Sequence, residues 1–335
     1  MKKIVVNITV FIFSICFILL VFEGALRFYN SDGKNYDIEM WKYGKYLKRK
    51  SQNINIAIEH IPLKKYWLQN VEIAINSAGF RDREYLIPKP KNTYRIIVLG
   101  SSITLGWGVS EGETYASLVE NRLNGKTGIT TVEIINTAVG NYNTIREIET
   151  FFDKCLVFEP DMVIISFFIN DPEILQIKKS NCLLRNSQLA VLLWSRYHQI
   201  IRRIGLKDDY VEHYEKLYSD DYKGWGQCQQ AMSKLSVYCK KNNIEVLLTL
   251  LPEIHDLQDY PFGHIHRFIK EKAVEFNFSF LDFYDVLKDV EAGRIWAMPG
   301  DPHPNKEGHL MITESLYAYL MQNKPWEDKF TALVD

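Results

Sequence analysis

Two serines that follow a glycine at the end of an apolar run, Gly100-Ser101-Ser102, put a hydroxyl where an open parallel sheet binds its ligands. Ile96, Ile97, Val98 and Leu99 form that run, which is short, aliphatic and bounded by turn residues. It suits a strand covered on both faces. Taken alone, the stretch reads equally well as serines capping a strand-to-helix turn. Two further apolar runs also end in polar groups: 132–135 leads to Gly140-Asn141, and 162–168 leads to Asn170-Asp171. Near the carboxyl end, Pro299-Gly-Asp-Pro-His-Pro-Asn holds His303 between prolines, two residues after Asp301. Acyl transfer needs such a set: a hydroxyl, an imidazole to take its proton, a carboxylate to orient the imidazole, and donors for the oxyanion. A glycine lends a backbone N–H with no side chain in the way. An asparagine lends a donor with no charge to desolvate.

The elements that must carry these groups alternate. Tyr115, Leu118, Val119 and Leu123 share a helical face that ends near Gly125, and a helix opened by Thr144 stops before Pro160. Helices are expected over 227–241, 265–276 and from Asn305 to about 321, with strands over 245–251 and 278–283. Strands and helices of these lengths in alternation imply an α/β fold with a parallel, doubly wound sheet. Residues 173–225 break the rhythm. A helical pattern over 183–206 and a tyrosine-rich stretch over 210–222 follow the end of a strand, so the segment is expected to overhang the site as a lid. The alternative is that its helix rests on a membrane surface.

Of the 335 residues, 24% are charged and the formal net charge is −1, so bulk electrostatics do not point to nucleic acid. Lys2 and Lys3 precede an uncharged apolar run over 4–22, about as long as a bilayer core is thick. The positive-inside rule puts the amino terminus in the cytoplasm and the rest outside. Glu23-Gly24-Ala25 makes a poor cleavage site, so the run reads as an uncleaved single-span anchor. The expected division is a cytoplasmic terminus and anchor over 1–30, a linker and lead-in over 31–91, the catalytic unit over 92–325 with its lid at 173–225, and a tail over 326–335. Cys155, Cys228 and Cys239 lie on apolar helical faces and read as small buried hydrophobes. No spacing resembles a zinc site, and a disulfide such as Cys182 with Cys228 stays open.

In order, Gly100-Ser-Ser102, Gly140, Asn170-Asp171 and Asp301-Pro-His303-Pro-Asn resemble the four blocks of the SGNH (GDSL-like) hydrolase family, here as a membrane-anchored bacterial member. The resemblance covers about 94–321, with a gap at 173–225. It implies a flavodoxin-like three-layer α/β/α sandwich preceded by one transmembrane helix. It also implies that Ser102 is the nucleophile, His303 the general base and Asp301 its orienting carboxylate. Ser102 N–H, Gly140 N–H and the Asn170 side chain would form the oxyanion hole. The chain departs from the family pattern at Ser101, where Asp is usual, at Phe168-Ile169 before Asn170, and in the spacing of Asp301 to His303. Arg81 resembles a recurrent Gly-Phe-Arg turn of anchored members and is expected to support structure.

The other histidines carry no expected role. His264 and His266 read as surface or cap residues, His309 as a packing group, and His60, His198, His213 and His255 have no partner nameable from sequence. Trp107 could line the pocket mouth or pack. Together these features lead to an extracytoplasmic serine esterase that removes acyl groups, acetyl among them, from a glycan, another cell-envelope substrate or a small ester. No cofactor, metal or nucleic acid is expected, and the membrane is met through the amino-terminal helix. The alternatives are an O-acyltransferase using the same acyl-enzyme and a catalytically silent envelope scaffold.

Overall fold

The computed structural model describes residues 2–124, 131–175, 181–205, 210–298 and 300–327. Gly125, Pro299, the tail from 328, and residues 176–180 and 206–209 of the expected lid lie outside the described residues. The first helix, α1 (Lys2–Tyr29), has no buried residue. It is the one described helix long and apolar enough to cross a membrane, by length and composition.

The stretch 31–91, expected as a linker and lead-in, holds a helix and two hairpins. Helix α2 (Tyr36–Tyr46) is capped by the Asn35 side chain, which accepts from Ile38 N–H. Two hairpins follow: β1 (Lys48–Lys50) with β2 (Ile58–His60), and β3 (Lys65–Leu68) with β4 (Val71–Ala74). Helix α2 leaves a weak sequence signal because its buried positions mix Ile38 and Tyr43 with the buried carboxylate Glu39. The β3–β4 turn has two central residues, Gln69 and Asn70, both left-handed at φ +48° and +62°. That is the backbone a two-residue hairpin wants, but Gln is an unusual residue to supply it.

The βα units come next. They comprise β5 (Thr93–Leu99), α3 (Ser102–Leu105), α4 (Tyr115–Asn124), β6 (Thr131–Asn136), α5 (Thr144–Thr150) and β7 (Met162–Phe168). The intervening segment holds α6 (Cys182–Asn186), α7 (Gln188–Gly205) and α8 (Tyr210–Lys216). Then follow α9 (Lys223–Lys241), β8 (Glu245–Leu251), α10 (Gly263–Glu275), β9 (Ser279–Asp282), α11 (Tyr284–Leu287), β10 (Trp296–Met298), β11 (Asp301–Pro304) and α12 (Lys306–Asn323).

Five strands form one parallel sheet in the order β6-β5-β7-β8-β9. The order reverses at β5, between its neighbours β6 and β7, so their carboxyl ends open the crevice where such sheets bind ligands. Alternate residues of β5 feed two cores. Ile96 and Val98 pack with Val119 of α4 and Leu316 of α12, while Ile97 and Leu99 pack with Ile148 of α5, Met232 of α9 and Ile269 of α10. Helices on both faces of a parallel sheet make the flavodoxin-like three-layer sandwich of the SGNH hydrolase fold. The described cysteines are all free, and Cys155, Cys228 and Cys239 are buried.

Candidate active site

The sheet edge delivers its groups through tight backbone geometry. A Cβ on Gly100 would stand 2.2 Å from Thr104 Oγ1, so only glycine lets β5 turn directly into α3. Ser102 opens that short helix. The loop behind it is held by Arg81, a buried guanidinium that donates to the carbonyls of Leu105 (2.9 Å), Gly106 (2.6 Å) and Val109 (2.7 Å). This is the supporting role expected of Arg81.

His303 and Asp301 arrive on the β10–β11 hairpin, whose register pairs Met298 with Asp301 and Trp296 with Pro304. Asn305 then caps α12, accepting from Glu307 and Gly308 N–H. Although 201 residues separate them, His303 Nε2 lies 2.8 Å from Ser102 Oγ. Its Nδ1 is 2.6 Å from Oδ1 of Asp301, which is fully buried. With Nδ1–H given to the carboxylate, Nε2 is left to accept the serine proton.

The second carboxylate oxygen has a partner that sequence reasoning missed. Gln69 Nε2 donates to Asp301 Oδ2 at 2.8 Å. Gln69 is itself braced: its N–H donates to Glu39 Oε2 (2.9 Å), and Lys42 holds the other Glu39 oxygen at 2.7 Å. A Gln in left-handed backbone at a hairpin tip, aimed at a buried carboxylate, is strain retained at a functional place. The Tyr36 ring lies against His303, with centroids 6.0 Å apart and planes 27° apart. Burial, and then the charge of Asp301, push the Tyr36 phenol up to about 12, so it stays neutral.

The oxyanion donors need one correction. Gly140 N–H, expected to face the substrate, donates instead to the Tyr43 hydroxyl at 2.9 Å, and a Cβ there would meet the Tyr43 ring at 2.8 Å. Its neighbour Asn141 is left-handed at φ +61°, lines the cavity, and its N–H donates no hydrogen bond within the described protein. Ser102 N–H and the Asn170 amide are likewise uncommitted and line the same cavity. Asp171 turns away. It is buried, accepts from Thr144 Oγ1 (2.7 Å), and burial pushes its carboxyl up to about 7.

Tyr43 is a hub. It accepts from Gly140, and its hydroxyl lies 2.7 Å from His60 Nε2, while His60 Nδ1 faces the Gly79 carbonyl. Burial holds His60 down to about 3, which keeps it neutral. Tyr43→Phe leaves the Gly140 N–H and a His60 nitrogen buried and unpaired, at about 1–3 kcal/mol each. The expected result is a clear fall in the urea midpoint, read by circular dichroism.

The other histidines sort out plainly. His309 is buried against Tyr115, accepts from Tyr115 N–H, and is held down to about 3 by burial, so it packs as expected. His264 is exposed, but His266 is buried between Tyr260 and Asp282, contrary to its surface reading. Trp107 is buried beside Tyr43 and His303 and does not line the cavity. His255 does, paired with Glu253, whose hydrogen bond raises its pKa. The cavity holds about 280 Å³ between Ser102, Asn141, Asn170, Phe168, Tyr214 and His255.

The family model for GDSL-like lipases/acylhydrolases matches residues 98–311. The chain belongs to the GDSL-like lipase/acylhydrolase family. It is a serine ester hydrolase of that family. Solved structures similar to this GDSL-like enzyme include an acetyl xylan esterase, AlAXEase, at 20% identity over 68% of this chain and 99% of that one, TM-score 0.43. A second is a catalytic mutant of Axe2, an acetylxylan esterase from Geobacillus stearothermophilus, at 16% identity over 67% and 92%, TM-score 0.44. A third is the lipase/acylhydrolase from Enterococcus faecalis, at 16% identity over 69% and 96%, TM-score 0.43. No curated protein matches the GDSL-like enzyme.

Proposed function

We propose that this GDSL-like hydrolase is a membrane-anchored bacterial esterase, facing away from the cytoplasm, that removes short acyl groups such as acetyl from a glycan. Ser102 is the nucleophile, His303 the general base, and Asp301 the carboxylate that orients it. The oxyanion donors are Ser102 N–H, Asn141 N–H and the Asn170 amide. The observation that carries this reading is the unbroken hydrogen-bonded run from Ser102 Oγ through His303 to Asp301.

In acylation, Ser102 Oγ attacks the ester carbonyl as its proton passes to His303 Nε2, and the carbonyl oxygen becomes an oxyanion before the three donors. Collapse breaks the C–O bond to the alcohol, which takes the proton from His303 Nε2 as it leaves. Water then attacks the acyl-Ser102 with its proton going to Nε2. Collapse of that second intermediate frees the acid and returns the proton to Oγ. The small cavity favours a short acyl group, and the rings of Tyr36, Tyr142 and Tyr214 around it suit a sugar face. Tyr214 comes from α8, which supports reading part of 173–225 as a wall over the site. The anchor rests on α1, exposed throughout its apolar run 4–22, with Lys2 and Lys3 before that run.

The purified enzyme should hydrolyse p-nitrophenyl acetate faster than the octanoate ester; the reverse order would overturn the short-acyl reading. A reporter fused after Asp335 should register outside the cytoplasm, and a cytoplasmic signal would reverse the topology. Asn170→Ala should lower kcat by about a hundred- to a thousandfold with KM little changed, because that bond strengthens only as the carbonyl becomes an oxyanion. A raised KM at unchanged kcat would make Asn170 a ground-state binding group.

A further inference from the structure

Helix α7 is held to the protein through polar contacts around Val191 and turns an apolar face out. On the inner side, Val191 is buried, Gln188 Oε1 accepts from Asn30 Nδ2 (3.1 Å), and Ser195 Oγ donates to Asp37 Oδ2 of α2 (2.8 Å). On the outer side, Leu193, Tyr197 and Ile200 form a stripe with Trp194 and Ile201 at its margin, and all are between 44% and 62% exposed. At about 100° per residue these positions fall within a sector of roughly 120°, the width of a helix face built to be buried. The described parts of the chain leave that face uncovered.

Its cover is indicated by what holds the helix. Glu23 is the first charged residue after the apolar run 4–22 of α1. Its carboxylate accepts from Gln188 N–H (3.0 Å), Leu189 N–H (3.0 Å) and Ser187 Oγ (2.9 Å), capping the first turn of α7. Arg27, one turn on, donates to the Asn186 carbonyl at 2.7 Å. The apolar face of α7 therefore starts where the apolar span of α1 stops. Phe28 and Tyr29, also at that junction, are 84% and 75% exposed. Bare Trp, Tyr and Phe side chains gathered at the end of a spanning helix are what a lipid headgroup layer accommodates, each with its ring toward the acyl chains.

We propose that the outer face of α7 lies on the bilayer that α1 enters, as an interfacial helix that docks the catalytic unit on the lipid surface; this rests on the reading of α1 as an anchor. The helix is 18 residues long and would lie along roughly 27 Å of surface. Two attachments, one through the bilayer and one upon it, fix the height and tilt of the cavity, so the esterase addresses acyl groups close to the membrane.

The test uses the full chain reconstituted in phosphatidylcholine–phosphatidylglycerol vesicles, some carrying a nitroxide near the headgroup. Vesicle flotation after a carbonate wash reports on the anchor; tryptophan quenching by the nitroxide lipid reports on α7. The nitroxide should quench the wild type, and Trp194→Phe should remove half or more of the quenchable emission. Ile200→Glu, which adds a charge to the same face, should cut the quenching at least twofold. Hydrolysis of p-nitrophenyl acetate by both variants should match wild type, showing that they are folded. A chain that does not float overturns the anchor and this inference with it. A chain that floats, but whose lipid quenching is the same in Trp194→Phe, overturns this inference alone. Quenching of Trp194 by aqueous iodide would put the face in water, and shielding from both quenchers would put another protein there; either result overturns the proposal.

Discussion

Ser102→Ala should reduce hydrolysis of p-nitrophenyl acetate by about a millionfold in kcat and abolish labelling by a fluorophosphonate probe. Removing the nucleophile leaves only the donors and substrate positioning, which are worth about 10³–10⁴ over water. His303→Ala should fall nearly as far, because Nε2 moves the proton in both half-reactions. The double variant should be little worse than either single one, since the two residues act as a unit. Equal rates for wild type and Ser102→Ala would remove the hydroxyl from the chemistry and leave the hydrogen bond to His303 as packing.

The second large effect concerns the orienting carboxylate and its brace. Asp301→Asn replaces an acceptor with an amide that favours the wrong imidazole tautomer, at a cost of about 10⁴ in kcat. Gln69→Ala frees Asp301 Oδ2, so the carboxylate can rotate. We expect a loss of about tenfold or more in kcat with KM nearly unchanged. Gln69→Glu should be worse than Gln69→Ala, because it sets a second carboxylate against one that is already buried. If both Gln69 variants retained wild-type kcat, the hairpin tip would be ornamental to catalysis. If Asp301→Ala were silent, the orienting role would pass to some other group.

The sequence makes the sheet and the chain of polar strand ends legible, and the reasons are local. Strands such as 96–99 and 162–168 are buried on both faces, so they read as unbroken apolar runs, and Gly100 marks the turn because nothing larger fits beside Thr104. Ser102 stands out because it follows the strand-ending Gly100, and Asp301 and His303 because they sit among prolines shortly before a helix. The lead-in is obscure for the opposite reason. Gln69, Tyr36 and Tyr43 act over separations of 232, 267 and 97 residues, and no short-range pattern encodes a contact of that reach. The proposed exchange of Gly140 for Asn141 has the same origin: Tyr43 reaches in from α2 and takes the Gly140 N–H. A left-handed Asn is the one local signal of the substitution, and dihedrals are not readable from residue type alone.

The contact between Gln69 and Asp301 also sets an order of events in the making of the enzyme. During synthesis Gln69 and Ser102 leave the ribosome first, and Asp301 and His303 follow about two hundred residues later. The hydroxyl is therefore formed long before anything can activate it. A chain not yet extended to His303 lacks the proposed base. A fragment that begins just before β5 keeps that base but loses the brace on Asp301, so its turnover should fall by at least the roughly tenfold expected of Gln69→Ala. Full esterase activity would thus report a chain that has reached His303 and kept the hairpin that carries Gln69.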